Sequence, residues 1–232
     1  MTPAATAPRP EPRPHSLSPL GLAIAGWLSL LVTGWIFFTL AWDVAHHDDV
    51  VVFDAQMAAW LHAHGSARLT EFMLLVTTVN SVAGIAVWTA AFGAVLYRMR
   101  ERYWLLTLGL AVGGGSLLNV ILKHAFARAR PHFDDPWVTL TTYSFPSGHT
   151  AGATVFYGTL AAFLVSRTNL WHARIACVLA AALMVVLVAF SRMYLGAHYF
   201  SDVAAAACSS TAWLVLCLSG VHALVRRRME GR

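Results

Sequence analysis

The chain has 232 residues, 58% of them hydrophobic and only 12% charged, with a mean hydropathy of +0.61. A soluble domain carries about twice that share of charge, so the composition excludes one and fits a single compact helical bundle in a membrane. The net charge of +5 is spread over short loops and tails, which favours anionic lipid headgroups over nucleic acid as the partner.

Residues 1–19 are rich in Pro and Ala, carry Arg9 and Arg13, and are expected to form a disordered cytoplasmic tail. Residues 20–42 lack charge and far exceed the ~7–15 residues of a signal-peptide core, so they are expected to remain as a membrane span. Between this run and the next, residues 43–71 place Phe53, Met57, Trp60 and Leu61 at helical spacing, the pattern of a short helix lying on the bilayer surface. Further uncharged runs follow at residues 72–97, 103–122, 150–166, 175–190 and 203–225, the last interrupted only by His222. The predicted fold is therefore an all-α membrane protein: a six-transmembrane-helix bundle over residues 20–225, closed by a basic cytoplasmic tail at residues 226–232.

Several polar or small-residue clusters along this path read as structural. His46-His47-Asp48-Asp49 are adjacent residues on a loop, which rarely converge on one ion, and they read as a solvated polar loop, as do His62 and His64. Gly113-Gly114-Gly115 lacks the Lys-Ser/Thr of a phosphate loop and reads as a close helix contact. Asn80 and Asn119 are expected to make interhelical hydrogen bonds, and Cys177, Cys208 and Cys217 to act as small apolar residues.

Loop charge sets the orientation. Arg9, Arg13, Arg98, Arg100, Arg102, Arg167, Arg174 and the cluster Arg226, Arg227, Arg228, Arg232 fall on one side. Arg68, Lys123, Arg128, Arg130 and Arg192 fall on the other. The positive-inside rule then places both termini in the cytoplasm. Of the minority set, Arg128 is expected to snorkel to the interface.

Three polar stretches stand out, and an up-down order of six spans gathers them at the same ends of the helices. The first runs from Lys123 to Arg130-Pro131. Those two cations are seven residues apart and address one anion if the helix persists to Pro131. The second is Pro146-Ser147-Gly148-His149, where free backbone N–H groups at a helix start make an anion cradle and glycine permits close approach. The third runs from Ser191-Arg192 to His198 and Asp202. Four residues apart on one helix face, a carboxylate holds one imidazole nitrogen and leaves the other free to attack. Together they imply phosphate chemistry, with Arg supplying a planar fork and Lys a point charge.

Lys-x6-Arg-Pro, Pro-Ser-Gly-His and Ser-Arg-x5-His-x3-Asp, in that order, resemble the three-part signature of the type-2 phosphatidic acid phosphatase superfamily, which includes lipid phosphate phosphatases, glucose-6-phosphatase and the vanadium haloperoxidases. Every signature position matches, over residues 123–202. The resemblance implies an integral-membrane hydrolase with an extracytoplasmic site, in which His198 is the nucleophile through a phosphohistidine, Asp202 orients it, and His149 is the general acid. Lys123, Arg130, Arg192, Ser147 and Gly148 would bind phosphate, with no metal or other cofactor. The substrates so implied are lipid phosphates or diphosphates: undecaprenyl diphosphate, phosphatidylglycerophosphate or phosphatidic acid. A lipid phosphotransferase would use the same residues, and a non-enzymatic anion or lipid transporter would use the same basic edge. Against transport, the charges sit at span ends rather than at the midplane, where transporters place their sites.

Overall fold

A computed structural model of the protein describes residues 19–230. The segment expected to be a disordered tail therefore lies outside the described residues, apart from Pro19, which opens the first helix. Among the described residues there are helices and connecting loops and no strand, as expected for a chain that must satisfy its backbone within lipid. Helix α1 is Pro19–His46, α2 Asp49–Ala63, α3 Ala67–Val79 and α4 Val82–Arg98. Helix α5, Arg102–Gly109, continues through a π-helical turn at Leu110–Gly114 into α6, Gly115–Phe126. Then come α7, Gly148–Arg167, α8, Trp171–Tyr194, and α9, Phe200–Glu230. The last helix thus runs on through Arg226 and Arg227.

Among the described residues, four helical stretches are individually long and apolar enough to cross a bilayer: Ala23–His46, Arg102–Phe126, Trp171–Tyr194 and Phe200–Arg227. Their outward surfaces carry Trp27, Leu31 and Trp35 on α1 and Leu179, Leu183 and Val186 on α8, the apolar exterior that lipid requires. The chain is a multi-pass membrane protein. The run at residues 72–97, expected to be one helix, is instead the bent pair Ala67–Val79 and Val82–Arg98, which meet at 52°. The break is stabilised locally. Ser81 caps α4 by accepting the Gly84 N–H (3.1 Å), Asn80 donates to the Val76 carbonyl (2.9 Å), and Tyr157 Oη on α7 donates to Asn80 Oδ1 (2.8 Å). Groups released from the helix ladder thus find partners without water.

Helix α7 occupies the centre, packed against α8, α9, α6 and α4. It spans 20 residues, but its Gly, Thr and His content leaves it less apolar than the other four. The reason is its location. Ala151, Ala153, Thr154, Val155, Phe156 and Thr159 are buried against protein, where small residues allow close approach and threonine hydroxyls bond to carbonyls one turn back (Thr154 to Thr150, 2.8 Å). Of the glycine run, Gly114 and Gly115 behave as a contact surface, while Gly113 faces open space. A Cβ on Gly115 would come within 3.4 Å of the Trp213 indole, and Trp213 Nε1 donates to the Leu110 carbonyl (3.1 Å) at the π-turn, where the ladder is interrupted.

Helix α2 forms in the predicted region, but its buried face is Asp54, Ala58 and Leu61, while Phe53 and Trp60 face outward. A carboxylate therefore points inward from this short helix. The His46–Asp49 turn is locally accounted for: His46 Nδ1 bonds to the Trp42 carbonyl (2.9 Å) and Asp48 is the N-cap residue of α2.

Candidate active site

The C-terminal end of α8 sets the first piece of geometry. The Ala197 and His198 N–H groups both donate to the Arg192 carbonyl (3.0 and 3.2 Å), and Gly196 takes the left-handed conformation that this closure needs (φ +67°). The five residues between Arg192 and His198 thus make one helix-terminating turn, which folds the imidazole back beside the arginine. Asp202 follows in the first turn of α9, and its Oδ2 accepts the Tyr199 N–H (2.8 Å). The expected face sharing of His198 and Asp202 is achieved by this N-terminal turn, since α9 begins only at Phe200.

His198 Nδ1 lies 3.4 Å from Asp202 Oδ2 and 3.4 Å from Ser144 Oγ, and Ser144 Oγ donates to the same carboxylate oxygen. On the other side of the ring, Arg130 Nη1 donates to Nε2 at 3.1 Å. Guanidinium has no acceptor, so Nε2 must present its lone pair and the ring proton resides on Nδ1, facing Asp202. This is the tautomer in which Nε2 is nucleophilic. The imidazole is buried, and burial pushes its pKa down to about 4, opposed by Asp202 and assisted by the nearby Arg130 and Arg192. The ring is therefore neutral around pH 7. A ¹⁵N titration of histidine-labelled protein is expected to place the His198 midpoint near 4, and a midpoint at the ordinary 6.5 would contradict this account.

The cations converge, though not by the route expected. Helix α6 stops at Phe126, Ala127 turns left-handed (φ +45°), and its N–H donates back to the Lys123 carbonyl (2.9 Å). Lys123 and Arg130 are therefore not on one helix; the reversal of the chain brings the arginine back towards the site. Arg130 donates to the carbonyls of Ala197 and Thr142 (both 2.6 Å), to Thr142 Oγ1 (2.9 Å) and to the Tyr143 carbonyl (3.1 Å), and Lys123 Nζ also donates to the Tyr143 carbonyl. Arg192 is buried, donates to Thr77 Oγ1 through Nη1, and keeps a buried Nε without a partner among the described residues. A buried donor left unpaired is rare in a folded protein.

The second motif joins the other two. Ser147 N donates to the Asp202 carbonyl (3.0 Å), and its side chain caps α7 by accepting from Thr150. Asn119 donates to the Pro146 carbonyl (3.3 Å) rather than to another helix. A Cβ on Gly148 would lie 3.3 Å from Asn119 Oδ1 and 3.9 Å from Lys123 Cε, so this glycine sets how closely α7 approaches the lysine. His149 lies within Coulombic range of Arg192, His198, Arg130 and Lys123. All eight residues singled out from the sequence thus meet at one end of the bundle.

Two more charges join them. Arg128 does not snorkel. Its Nη1 donates to Asp202 Oδ1 (2.7 Å) and Ser201 Oγ (2.7 Å), its Nη2 donates to Asp54 Oδ2 (2.8 Å), and the Tyr199 ring lies 4.4 Å below it. The ion pairs are buried, with side chains 10% (Arg128) and 0% (Asp54, Asp202) exposed. Removing one partner from such a cluster typically costs about 3–5 kcal/mol, because the other charge is left uncompensated. Sequence reasoning missed Asp54, since an acidic residue on a short amphipathic helix looks like part of its solvated face. The inward periodicity of Asp54, Ala58 and Leu61 was the signal available.

The model of the PAP2 superfamily matches residues 104–226. Phosphatidylglycerophosphatase B of Bacillus subtilis (strain 168) is 30% identical over 174 residues, covering 74% of this chain and 85% of that protein. Decaprenylphosphoryl-5-phosphoribose phosphatase of Mycolicibacterium smegmatis is 36% identical over 121 residues, 49% of this chain and 58% of that one. Among solved structures, the transmembrane PAP2-type phosphatidylglycerolphosphate phosphatase of Bacillus subtilis superposes with a TM-score of 0.75 at 27% identity, covering 86% of this chain and 96% of that chain. Aquifex aeolicus LpxE shares the fold, with a TM-score of 0.59 at 22% identity over 72% of this chain and 95% of that one.

Proposed function

The chain belongs to the PAP2 superfamily, and from that premise we propose that it hydrolyses the terminal phosphate of a lipid phosphate or diphosphate at the extracytoplasmic face of the plasma membrane. The observation that carries this reading is the buried His198, with Nδ1 towards Asp202, the Nε2 lone pair towards Arg130, and Arg192 close enough to act on the ring.

The substrate enters from the outer leaflet and sets its phosphate among Lys123, Arg130, Arg192, the Ser147 hydroxyl and the Gly148 amide. It displaces Arg130 from Nε2 and satisfies Arg192 Nε. Nε2 then attacks phosphorus in line, the bond to the lipid oxygen (or bridging diphosphate oxygen) breaks, and His149 protonates the departing group. Asp202 holds the Nδ1 proton and stabilises the positive charge gained by the ring. Water attacks the phosphohistidine, His149 takes its proton, and the P–N bond breaks to release phosphate. The cations stabilise charge on the equatorial oxygens, the dominant contribution in phosphoryl transfer, so no metal is required.

In this reading α7 and the bent α3–α4 pair complete a six-span bundle, α2 lies at the outer interface, and both termini are cytoplasmic. The relatives' names describe phosphatases of lipid-linked phosphates, and phosphatidylglycerophosphate is the first substrate to try. The test is a phosphate-release panel with purified protein: phosphatidylglycerophosphate, phosphatidic acid, undecaprenyl diphosphate and a polyprenylphosphoryl phosphosugar, each with EDTA present. Release from at least one, undiminished by EDTA, is expected. Silence across the panel would overturn the enzyme reading, and release that needs added Mg²⁺ would overturn metal independence.

A further inference from the structure

We infer that Asp54 and Arg128 are positioning residues that set the charge of the His198–Asp202 pair, because Arg128 bridges Asp54 Oδ2 and Asp202 Oδ1 at 2.8 and 2.7 Å within a buried cluster. The inference rests on the reading of His198 as nucleophile.

Asp202 has two tasks that conflict. It must be fixed in place, which Arg128, the Tyr199 N–H and Ser144 accomplish, and it must keep enough negative charge to stabilise an imidazolium. A lone arginine at 2.7 Å would largely cancel that charge in a low-dielectric site. Asp54 resolves the conflict. It accepts from Arg128 Nη2 and from the Ser201 N–H (3.0 Å) and hydroxyl, so the guanidinium is shared between two carboxylates. Asp54, Arg128 and Asp202 together carry one negative charge, which the imidazolium formed on attack brings to zero. Without Asp54 the same group is neutral before attack and cationic after it, beside Arg130 and Arg192.

Asp54 reaches the site from α2, 147 residues before its partner Ser201. It touches none of the groups that bind phosphate, so its effect passes through Asp202 and falls on turnover rather than on affinity.

The groups facing His198 are Asp202 from α9, Arg130 and Ser144 from the loop after α6, Arg192 from α8 and His149 from α7. Against that constant background, charge changes in the buried pair shift the His198 titration in opposite directions. Removing the negative charge (Asp54→Asn) destabilises imidazolium and moves the midpoint down. Removing the positive charge (Arg128→Gln) moves it up. The double variant restores the net charge and returns it towards wild type.

The experiment follows the His198 ring by ¹⁵N NMR in full-length, detergent-solubilised protein, alongside kcat and KM for phosphatidylglycerophosphate. Expected are opposed shifts in the two single variants that cancel in the double. With them goes a fall in kcat for Asp54→Asn of about tenfold for each pH unit the midpoint moves, while KM holds. Should Asp54→Asn not fold, Arg128→Gln against the double variant reads the same charge. Shifts of the same sign, or none, with folded protein would overturn the inference. A wild type that releases no phosphate would instead remove the functional reading, and the NMR shifts would still decide the electrostatic one.

Discussion

His198→Ala is expected to lower turnover by at least about four orders of magnitude, the scale lost when a covalent nucleophile is deleted from an otherwise intact site. The argument is positional. Nε2 is the ring atom that faces the cations, and the imidazole has no other exposed route because His198 is 2% exposed. The cations do not depend on the ring: Arg130 keeps its bonds to Ala197, Thr142 and Tyr143, and Arg192 keeps Thr77. Substrate binding should therefore survive the substitution while chemistry stops. Single-turnover assays with ³²P-labelled lipid phosphate should show an acid-labile protein-bound phosphate in wild type and none in the variant. Activity near wild type in His198→Ala would remove the residue from the nucleophile's role.

Asp202→Asn should be nearly as damaging, with about a thousandfold or greater loss in kcat and little change in KM. Oδ2 both accepts from Tyr199 N–H and faces His198 Nδ1, while Oδ1 accepts from Arg128, so an asparagine that keeps its oxygen at Oδ2 sets its NH₂ donor-to-donor against Arg128 and loses the negative charge that stabilises the imidazolium. The flipped amide relieves that clash but turns its NH₂ to Nδ1, which moves the ring proton to Nε2 and removes the lone pair needed for attack. The same change leaves Arg128 facing one carboxylate instead of two, which makes the site more cationic when the imidazolium must form. Circular dichroism melting distinguishes lost chemistry from lost structure. An Asp202→Asn protein that turns over at the wild-type rate would show that the carboxylate neither orients nor stabilises the ring.

Much of this molecule is written locally. Uncharged runs long enough to cross about 30 Å of hydrocarbon mark the spans, because a lipid-facing segment must bond its own backbone and bury no charge. The three polar motifs fall at span ends, and an alternating path through the membrane is sufficient to gather them. Local reasoning failed where it extrapolated a period. The helix was carried past Ala127, the run at 72–97 was read through Asn80 and Ser81, and the inward face of α2 with its Asp54 went unread. In each case a side chain from elsewhere, or a turn that frees one, decided the outcome.

The all-helical membrane character, the motifs and their order were thus determined by the sequence alone, since hydropathy and helix-end chemistry act within a few residues of each other. Only the tertiary structure decided which partners the buried charges take. Arg128 at a membrane edge reads like any snorkelling arginine until α2 packs beneath it and presents Asp54, 74 residues earlier in the chain. The physical reason is that desolvation makes a buried charge depend entirely on its partner, and nothing near either residue in sequence specifies that meeting.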